Sequence, residues 1–351
     1  MAGKDKMHNN SIESDLERIL IRDLWEELRG ASIFLTGGTG FFGRWFLESF
    51  VRANDAFNLN ASVMILTRSF DDFKKKAPHL TSNSSIRAHV GDVRDFAFPE
   101  GEYSHIIHAA TTNAVATFNN EDPLIKFDTT AQGTRRTLDF AVRCKARKFL
   151  MTSSGSVYGK APSGMTHITE DYSGAPLHLD FVSSALGEGK RVAEFLCAYY
   201  ARKYSFDVQI ARCFSFVGPY QPLNIHYAIG NFIRDALFSE AITINGNGAP
   251  MRSYMYLGDL VVWLLTLLVK GSSGRVYNVG SDQAVSIREL AYLVRDTLSP
   301  RKKVQILGQV DAGVGGDWYV PNIQRARSEF GLDVCTPLSH AIQLTAKAVV
   351  L

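Results

Sequence analysis

Cysteine is scarce in this chain of 351 residues: Cys144, Cys197, Cys213 and Cys335 stand far apart, form no CxxC pair and have no histidines clustered at metal-ligand spacing. That pattern excludes a disulfide scaffold and a structural zinc site, so no metal is expected and the thiols read as reduced and mostly buried. An excess of one charge is lacking as well, with 38 basic residues against 35 acidic ones and a net charge of +3. The balance speaks against a nucleic-acid partner but leaves room for a local basic pocket for phosphates. Long apolar runs are also missing. The longest, Leu260 to Val269, falls well short of the ~20 residues that span a bilayer, and the opening MAGKDKMHNNS has no apolar core of the secretory kind. No membrane partner and a cytoplasmic location are therefore expected. Internal repeats and low-complexity stretches do not occur.

What is present is an ordinary globular composition, 46% hydrophobic and 21% charged, on a chain long enough for two lobes. Ser14-Asp15-Leu16-Glu17 has the form of a capping box, and Leu16, Ile19, Leu20, Leu24 and Leu28 then recur at helical spacing until Gly30, which predicts one amphipathic helix. From Ala31 short β-rich runs alternate with longer amphipathic ones. Residues 32–36, 63–67, 106–109, 148–152 and 208–212 read as strands, and the alternation is the signature of βαβ units. The fold class is therefore α/β, a Rossmann-type doubly wound parallel sheet, with ligands at the carboxyl ends of its strands. After Gly218-Pro219 the pattern loosens into a loop, a helix over 228–238 and a short strand over 242–244, followed by a helix over 259–270 and a strand over 276–279. This divides the chain into an N-terminal helix (1–30), a dinucleotide-binding domain (31–217 with 259–280) and a smaller C-terminal substrate-binding lobe (218–258 with 281–351).

Directly after the first strand stands Gly37-Gly38-Thr39-Gly40-Phe41-Phe42-Gly43, with a helical run following. Glycine lets the backbone turn tightly and approach a pyrophosphate closely, and the helix offers the anion free N–H groups and a positive dipole end. Glycine turns also end many strands for steric reasons alone. The position between strand and helix near the start of an α/β chain favours a dinucleotide site.

The motif GGTGFFG resembles the TGGTGFIG fingerprint of the extended short-chain dehydrogenase/reductase superfamily, specifically its NAD-dependent epimerase/dehydratase members that modify nucleotide sugars. Gly91-Asp92-Val93-Arg94-Asp95 is similar to the family's GDxxD, His108-Ala109-Ala110 to its HxAA strand end, and Ser153 to Gly159 to SSxxVYG. Arg212 to Pro219 and Arg252 to Asp259 are similar to RxxNxyGP and RxxxYVxD. The resemblance implies cofactor contacts from Gly37, Gly40, Phe41, Phe42, Gly43, Asp92, Val93, His108, Ala109, Ala110 and Lys190. It also implies a nucleoside-diphosphate sugar as substrate and a homodimer formed through two helices per subunit. The second strand ends in Thr67-Arg68-Ser69 without an acid for a ribose 2′-hydroxyl. Arg68 thus permits NADP, whereas the family branch mostly holds NAD, and NAD is the expectation.

The resemblance extends to the catalytic helix, with one departure. Leu186 to Glu194 is similar to the decarboxylase-like form YxEGKRxAE of the family's YxxxK helix, but Leu186 occupies the tyrosine position. In the family that tyrosine removes a sugar hydroxyl proton and the lysine, here Lys190, tunes it and holds the nicotinamide ribose. Leucine transfers no proton. The chain is therefore impaired, uses another base, or is a silent binding protein; Tyr158, Tyr172, His178 and His226 are substitute candidates for which packing is the blander explanation. Ser154 aligns with the residue that bonds the sugar's 4-hydroxyl.

The family's dehydratases carry Asp-Glu where this chain has Gly155 and Ser156, and its decarboxylases keep the glutamate. Without that pair the least demanding expectation is a 4-epimerase, with dehydratase or decarboxylase chemistry as the alternative. Arg252 matches an arginine that pairs with the substrate diphosphate, and Asn231 is placed to bond the same phosphates. Ser156 faces the substrate in the same alignment. Ser215 and Thr130 each replace a family Asn.

Overall fold

The computed structural model describes residues 15–112, 118–177, 180–225, 227–309 and 317–350. His178 and His226, named above as substitute bases, and Ser14 of the expected capping box lie outside them.

Seven strands, β1 (Ser32–Thr36), β2 (Ser62–Thr67), β3 (Ile86–Val90), β4 (His105–His108), β5 (Lys148–Ser154), β6 (Asp207–Cys213) and, further on, Arg275–Val279, form one sheet in the order Arg275–Val279, β6, β5, β4, β1, β2, β3. Every neighbouring pair is parallel. The order reverses direction between β1 and β4, which opens a crevice at their carboxyl ends. Ile33, Phe34 and Leu35 are fully buried on both faces, as a central parallel strand covered by helices requires. The edge strand β3 reads Ile-Arg-Ala-His-Val and is largely exposed. It offers no apolar run, which is why the sequence did not predict it.

The expected N-terminal helix is broken rather than continuous. Residues 15–18 are helical, the chain is extended at Ile21, and a second piece spans Arg22–Trp25 before a 3₁₀ turn at Glu26–Leu28. At the break the Ile19 carbonyl accepts the Ile21 N–H at 2.9 Å and the buried Trp25 indole N–H at 3.0 Å. Leu24, Trp25 and Leu28 thereby reach the core, so tertiary burial outweighs the local periodicity.

Beyond the sheet strands lie β7 (Phe216–Val217), the helix Ala228–Phe238, β8 (Ala241–Ile244), β9 (Met251–Arg252), β10 (Met255–Tyr256) and the helix Leu257–Lys270. Naming Arg275–Val279 β11, the chain continues with β12 (Val285–Ser286), the helix Ile287–Leu298, β13 (Lys303–Ile306) and β14 (Trp318–Tyr319). β13 pairs with β8, and β9 lies between β12 and β14. These small sheets stand past the carboxyl end of the main sheet and bring residues 251–252 beside 318–319. No helix among the described residues is long and apolar enough to cross a membrane.

Candidate active site

The glycine turn sits at the crevice between β1 and β4. Gly37 has φ +74°, and a Cβ there would lie 2.5 Å from the Ala109 carbonyl oxygen across the crevice. A Cβ at Gly43 would meet the Gly37 oxygen at 2.3 Å. Both are backbone contacts that cannot yield, so only glycine permits this turn. Gly40 caps the helix Phe41–Phe57 without any side-chain hydrogen bond, which leaves the first N–H groups of that helix available to an anion. The residues present therefore fit the pyrophosphate of a dinucleotide. Phe42 does not line the turn alone: its ring packs edge-on against Phe216 at 4.9 Å, joining the turn to β7.

Behind the crevice runs a fixed hydrogen-bond chain. Thr134 donates to the Thr130 carbonyl at 2.6 Å, so its oxygen accepts from His108 Nε2 at 3.0 Å. His108 Nδ1 then accepts from the Thr36 hydroxyl at 2.8 Å, and Thr36 Oγ accepts the Ala110 N–H at 3.1 Å. Burial pulls His108 down to about 3, which keeps the ring neutral as this pattern demands. Its buried side chain therefore braces the crevice from inside through both ring nitrogens. Thr130 donates within its own helix, and its Cβ lies close to Gly189 on the next helix. Asp92 is bound by the Arg94 guanidinium at 2.8 and 3.1 Å, which holds its carboxyl below the usual range. Val93 packs against Gly133, and Arg68 at the end of β2 is exposed.

At the end of β5, Ser154 Oγ accepts the Ser156 N–H at 3.1 Å and begins a 3₁₀ turn. Ser156 Oγ is buried and has no hydrogen-bond partner among the described residues. Lys190, on the helix Phe181–Lys203, is 3% exposed and donates to the Thr152 carbonyl at 2.6 Å. Burial pulls its ammonium down to about 8. Leu186 stands one turn earlier on the same helix, half-buried, and supplies no polar atom. Tyr158 is fully buried, with its hydroxyl donated to Asn278 at 2.7 Å and its phenol pushed up to about 12 by burial. It is spent on packing, as is Tyr172 stacked on it at 6.1 Å.

Two residues expected at the substrate are engaged by neighbouring groups in the structure. Asn231 donates to the Ile225 carbonyl at 2.8 Å and accepts from Arg234 at 3.2 Å. Its amide closes a loop through one N–H and its oxygen. Arg252 is held by Asp317, at 2.9 Å to the carboxylate and 2.8 Å to the carbonyl, so an anion has to compete with that pair. The Ser215 carbonyl accepts the Met255 N–H, stitching β7 to β10. One residue was missed by the sequence reading. Tyr319, paired with Arg252 across β14 and β9, places its hydroxyl 2.7 Å from where a Cβ on Gly155 would stand. A two-residue strand carries no periodicity, and the aromatic pair Trp318-Tyr319 in a polar stretch was the only available signal.

Comparison with known proteins agrees with this geometry. A profile described as the NAD dependent epimerase/dehydratase family matches residues 33–280. UDP-glucuronic acid decarboxylase 6 of Arabidopsis thaliana is 31% identical over 276 residues, covering 78% of this chain and 76% of that protein. UDP-glucuronic acid decarboxylase 1 of Danio rerio is 28% identical over 315 residues, 89% of this chain and 71% of that protein. Among solved structures, an epimerase of Methanothermobacter thermautotrophicus superposes with a TM-score of 0.78 at 20% identity, covering 94% of this chain and 95% of its own. The Bacillus cereus UDP-glucuronic acid 4-epimerase, a Y149F mutant in complex with NAD and a fluorinated substrate analogue, gives 0.76 at 22% identity, with coverages of 91% and 99%. At these identities the structural matches establish the fold alone.

Proposed function

The chain belongs to the NAD dependent epimerase/dehydratase family, and from that premise we propose that it oxidises C4 of a nucleoside-diphosphate sugar, with decarboxylation of a hexuronic acid as the net reaction. The observation that carries the reading is the anchoring of Lys190 on Thr152, two residues before Ser154 on β5 and two strands from a glycine turn that only a closely approaching backbone explains. The decarboxylases among the relatives favour the hexuronic acid.

NAD, when bound, supplies the reversible acceptance of hydride from sugar C4. The chain's own residues do the rest. Lys190, anchored on Thr152, holds a positive charge beneath the site that favours a sugar oxygen losing its proton. Ser154 Oγ accepts the Ser156 N–H, which leaves its hydroxyl proton to orient the 4-oxygen. A ketone at C4 makes the C6 carboxylate a β-keto acid. The C5–C6 bond then breaks with its electron pair moving toward the C4 oxygen, and this step needs no acidic or basic side chain. Dehydration between C5 and C6 needs both, and residues 155 and 156 offer no carboxylate.

A second reading, 4-epimerisation, draws support from the same absent carboxylates, because it needs only oxidation and return of the hydride to the other face. A third, silent binding, draws support from Leu186. Incubation with UDP-glucuronic acid and with UDP-hexoses, followed by NMR and mass spectrometry of the products, separates them. A UDP-pentose with released CO₂ supports the first reading, a 4-epimer the second, and retained binding without conversion the third. We also assign a homodimer to the helices Pro123–Arg143 and Phe181–Lys203. They pack on each other and leave Leu124, Val192, Phe195 and Tyr199 exposed, apolar surface that a partner copy would cover.

A further inference from the structure

We propose that Tyr319 is the proton donor of this site, its hydroxyl filling the space that a side chain on residue 155 would occupy and delivering a proton to sugar C5. The proposal rests on the decarboxylation reading. Loss of CO₂ leaves an electron pair shared between C5 and the C4 oxygen, and the reaction is complete only when C5 takes a proton. Neither Gly155 nor Ser156 carries an acid.

Two observations put the phenol there. The first is steric. A Cβ on Gly155 would stand 2.7 Å from Tyr319 Oη and 2.9 Å from the tip of Phe214, and the Tyr319 ring is stacked on Phe214 at 4.8 Å. The glycine is therefore the complement of the tyrosine: the strand end gives up its side chain, and a side chain from the other lobe enters the same volume. The second is the neighbour it meets there: the side chain of Ser154, whose Oγ accepts from the Ser156 backbone, acts on the Tyr319 hydroxyl and offsets part of the rise that burial gives the phenol. Burial pushes the phenol up to about 12, so the proton is in place at neutral pH.

The step balances without another reactant. The Tyr319 O–H bond breaks, a C5–H bond forms from the electron pair left by CO₂, and solvent restores the proton to the phenolate. Arg252, whose guanidinium lies 6.0 Å from the Tyr319 ring centre, lowers the cost of the transient negative charge. Because β14 also carries the neighbour of Asp317, the partner of Arg252, a substrate anion that draws Arg252 away from Asp317 acts on the strand that carries the acid.

The test is Tyr319→Phe in the full-length chain, which keeps the ring on Phe214 and removes only the hydroxyl. With UDP-glucuronic acid in D₂O, the unaltered chain should place one deuterium in a single stereochemical position at C5 of the product. Tyr319→Phe should lower kcat by ~10²-fold, leave KM and melting temperature nearly unchanged, and distribute deuterium over both positions. An unchanged rate and an unchanged stereochemical outcome overturn the proposal, because a packing role for the ring predicts both. So does a loss of nucleotide-sugar binding that parallels the loss of turnover. A chain that yields a 4-epimer with its C5 hydrogen retained, or converts no nucleotide sugar, sinks the decarboxylation reading and this proposal together. Decarboxylation indifferent to Tyr319→Phe sinks the proposal alone.

Discussion

Lys190 Nζ lies 2.6 Å from the carbonyl oxygen of Thr152, a bond that ties the helix Phe181–Lys203 to β5 two residues before Ser154. The ammonium is buried in a wall that includes Cys197 and Cys213, both of whose thiols are pushed up by burial. A lysine kept in such surroundings is costly to the fold, which makes its presence a statement about the site.

That cost has a pH signature. The folded lysine has been pulled down to about 8 from 10.5, so between those values the unfolded chain binds a proton that the folded chain has released, and this group's contribution to stability rises with pH. Below about 8 both states are protonated and the folded chain bears the full desolvation penalty. Lys190→Met removes the penalty. The urea midpoint of the unaltered chain, measured relative to Lys190→Met, should therefore climb as the pH is raised from about 7 to about 9.5. A difference that stays flat over that range would show that the ammonium is not desolvated.

Gly43→Ala tests the turn. Its Cβ would fall 2.3 Å from the Gly37 oxygen and 2.4 Å from Gly38 Cα, both backbone atoms, so the turn must open or the helix Phe41–Phe57 must shift. Overpacking of this kind costs about 1–3 kcal/mol, which a core of this size survives. The expected result is a folded chain with little or no NAD released on denaturation, read by chromatography of the supernatant. A full complement of nucleotide would contradict the close approach.

The legibility of the chain follows from how each feature is encoded. The strands over 32–36, 63–67, 106–109, 148–152 and 208–212 appear within a residue or two of their expected ends because buried parallel strands are continuous apolar runs. The Ala228–Phe238 helix matches its expected bounds. β3 was missed because an edge strand has no such run, and the N-terminal helix was over-extended because periodicity does not register that Trp25 needs the Ile19 carbonyl. At the candidate site, Ser154 and Lys190 stand in motifs whose residues are close in sequence, and the glycine turn was legible because local spacing carries it. The partners of Arg252, Asn231 and His108 were not, since each bond depends on which loop the tertiary fold brings near. Tyr319 belongs to the same class: 164 residues separate it from Gly155, and only the folded chain sets them side by side.

Glu194 and Arg212 form an enclosed ion pair near the site. The guanidinium donates to both carboxylate oxygens at 2.9 and 2.6 Å, and Ser153 donates to the same carboxylate at 2.5 Å. Their side chains are 11% and 15% exposed. Removing one partner leaves a nearly buried charge unpaired, a cost of about 3–5 kcal/mol, while replacing both with apolar groups avoids it. Glu194→Ala should therefore destabilise by about that amount in urea titration, whereas the double change Glu194→Leu with Arg212→Met should destabilise far less. Equal losses in the two variants would mean that the pair contributes through packing alone.

Leu186 is the one residue whose replacement is expected to improve the enzyme. It stands a helical turn before Lys190 with its side chain half-buried, and nothing polar in the described site replaces the hydroxyl that the family places there. Tyr158 cannot serve, since its hydroxyl is given to Asn278, and Tyr319 lies at Gly155 as a donor. Proton removal from the sugar's 4-hydroxyl therefore falls to water or to Lys190, and the chain should turn over slowly. Leu186→Tyr restores a phenol within reach of the Lys190 charge, and positioned general-base catalysis is worth ~10²–10⁴-fold. The rise should be in kcat with KM little changed, because the added hydroxyl acts on the proton leaving in the transition state. If the unaltered chain already turns over at tens per second and Leu186→Tyr adds nothing, another group removes that proton, and the site must be searched again among the residues facing Ser154.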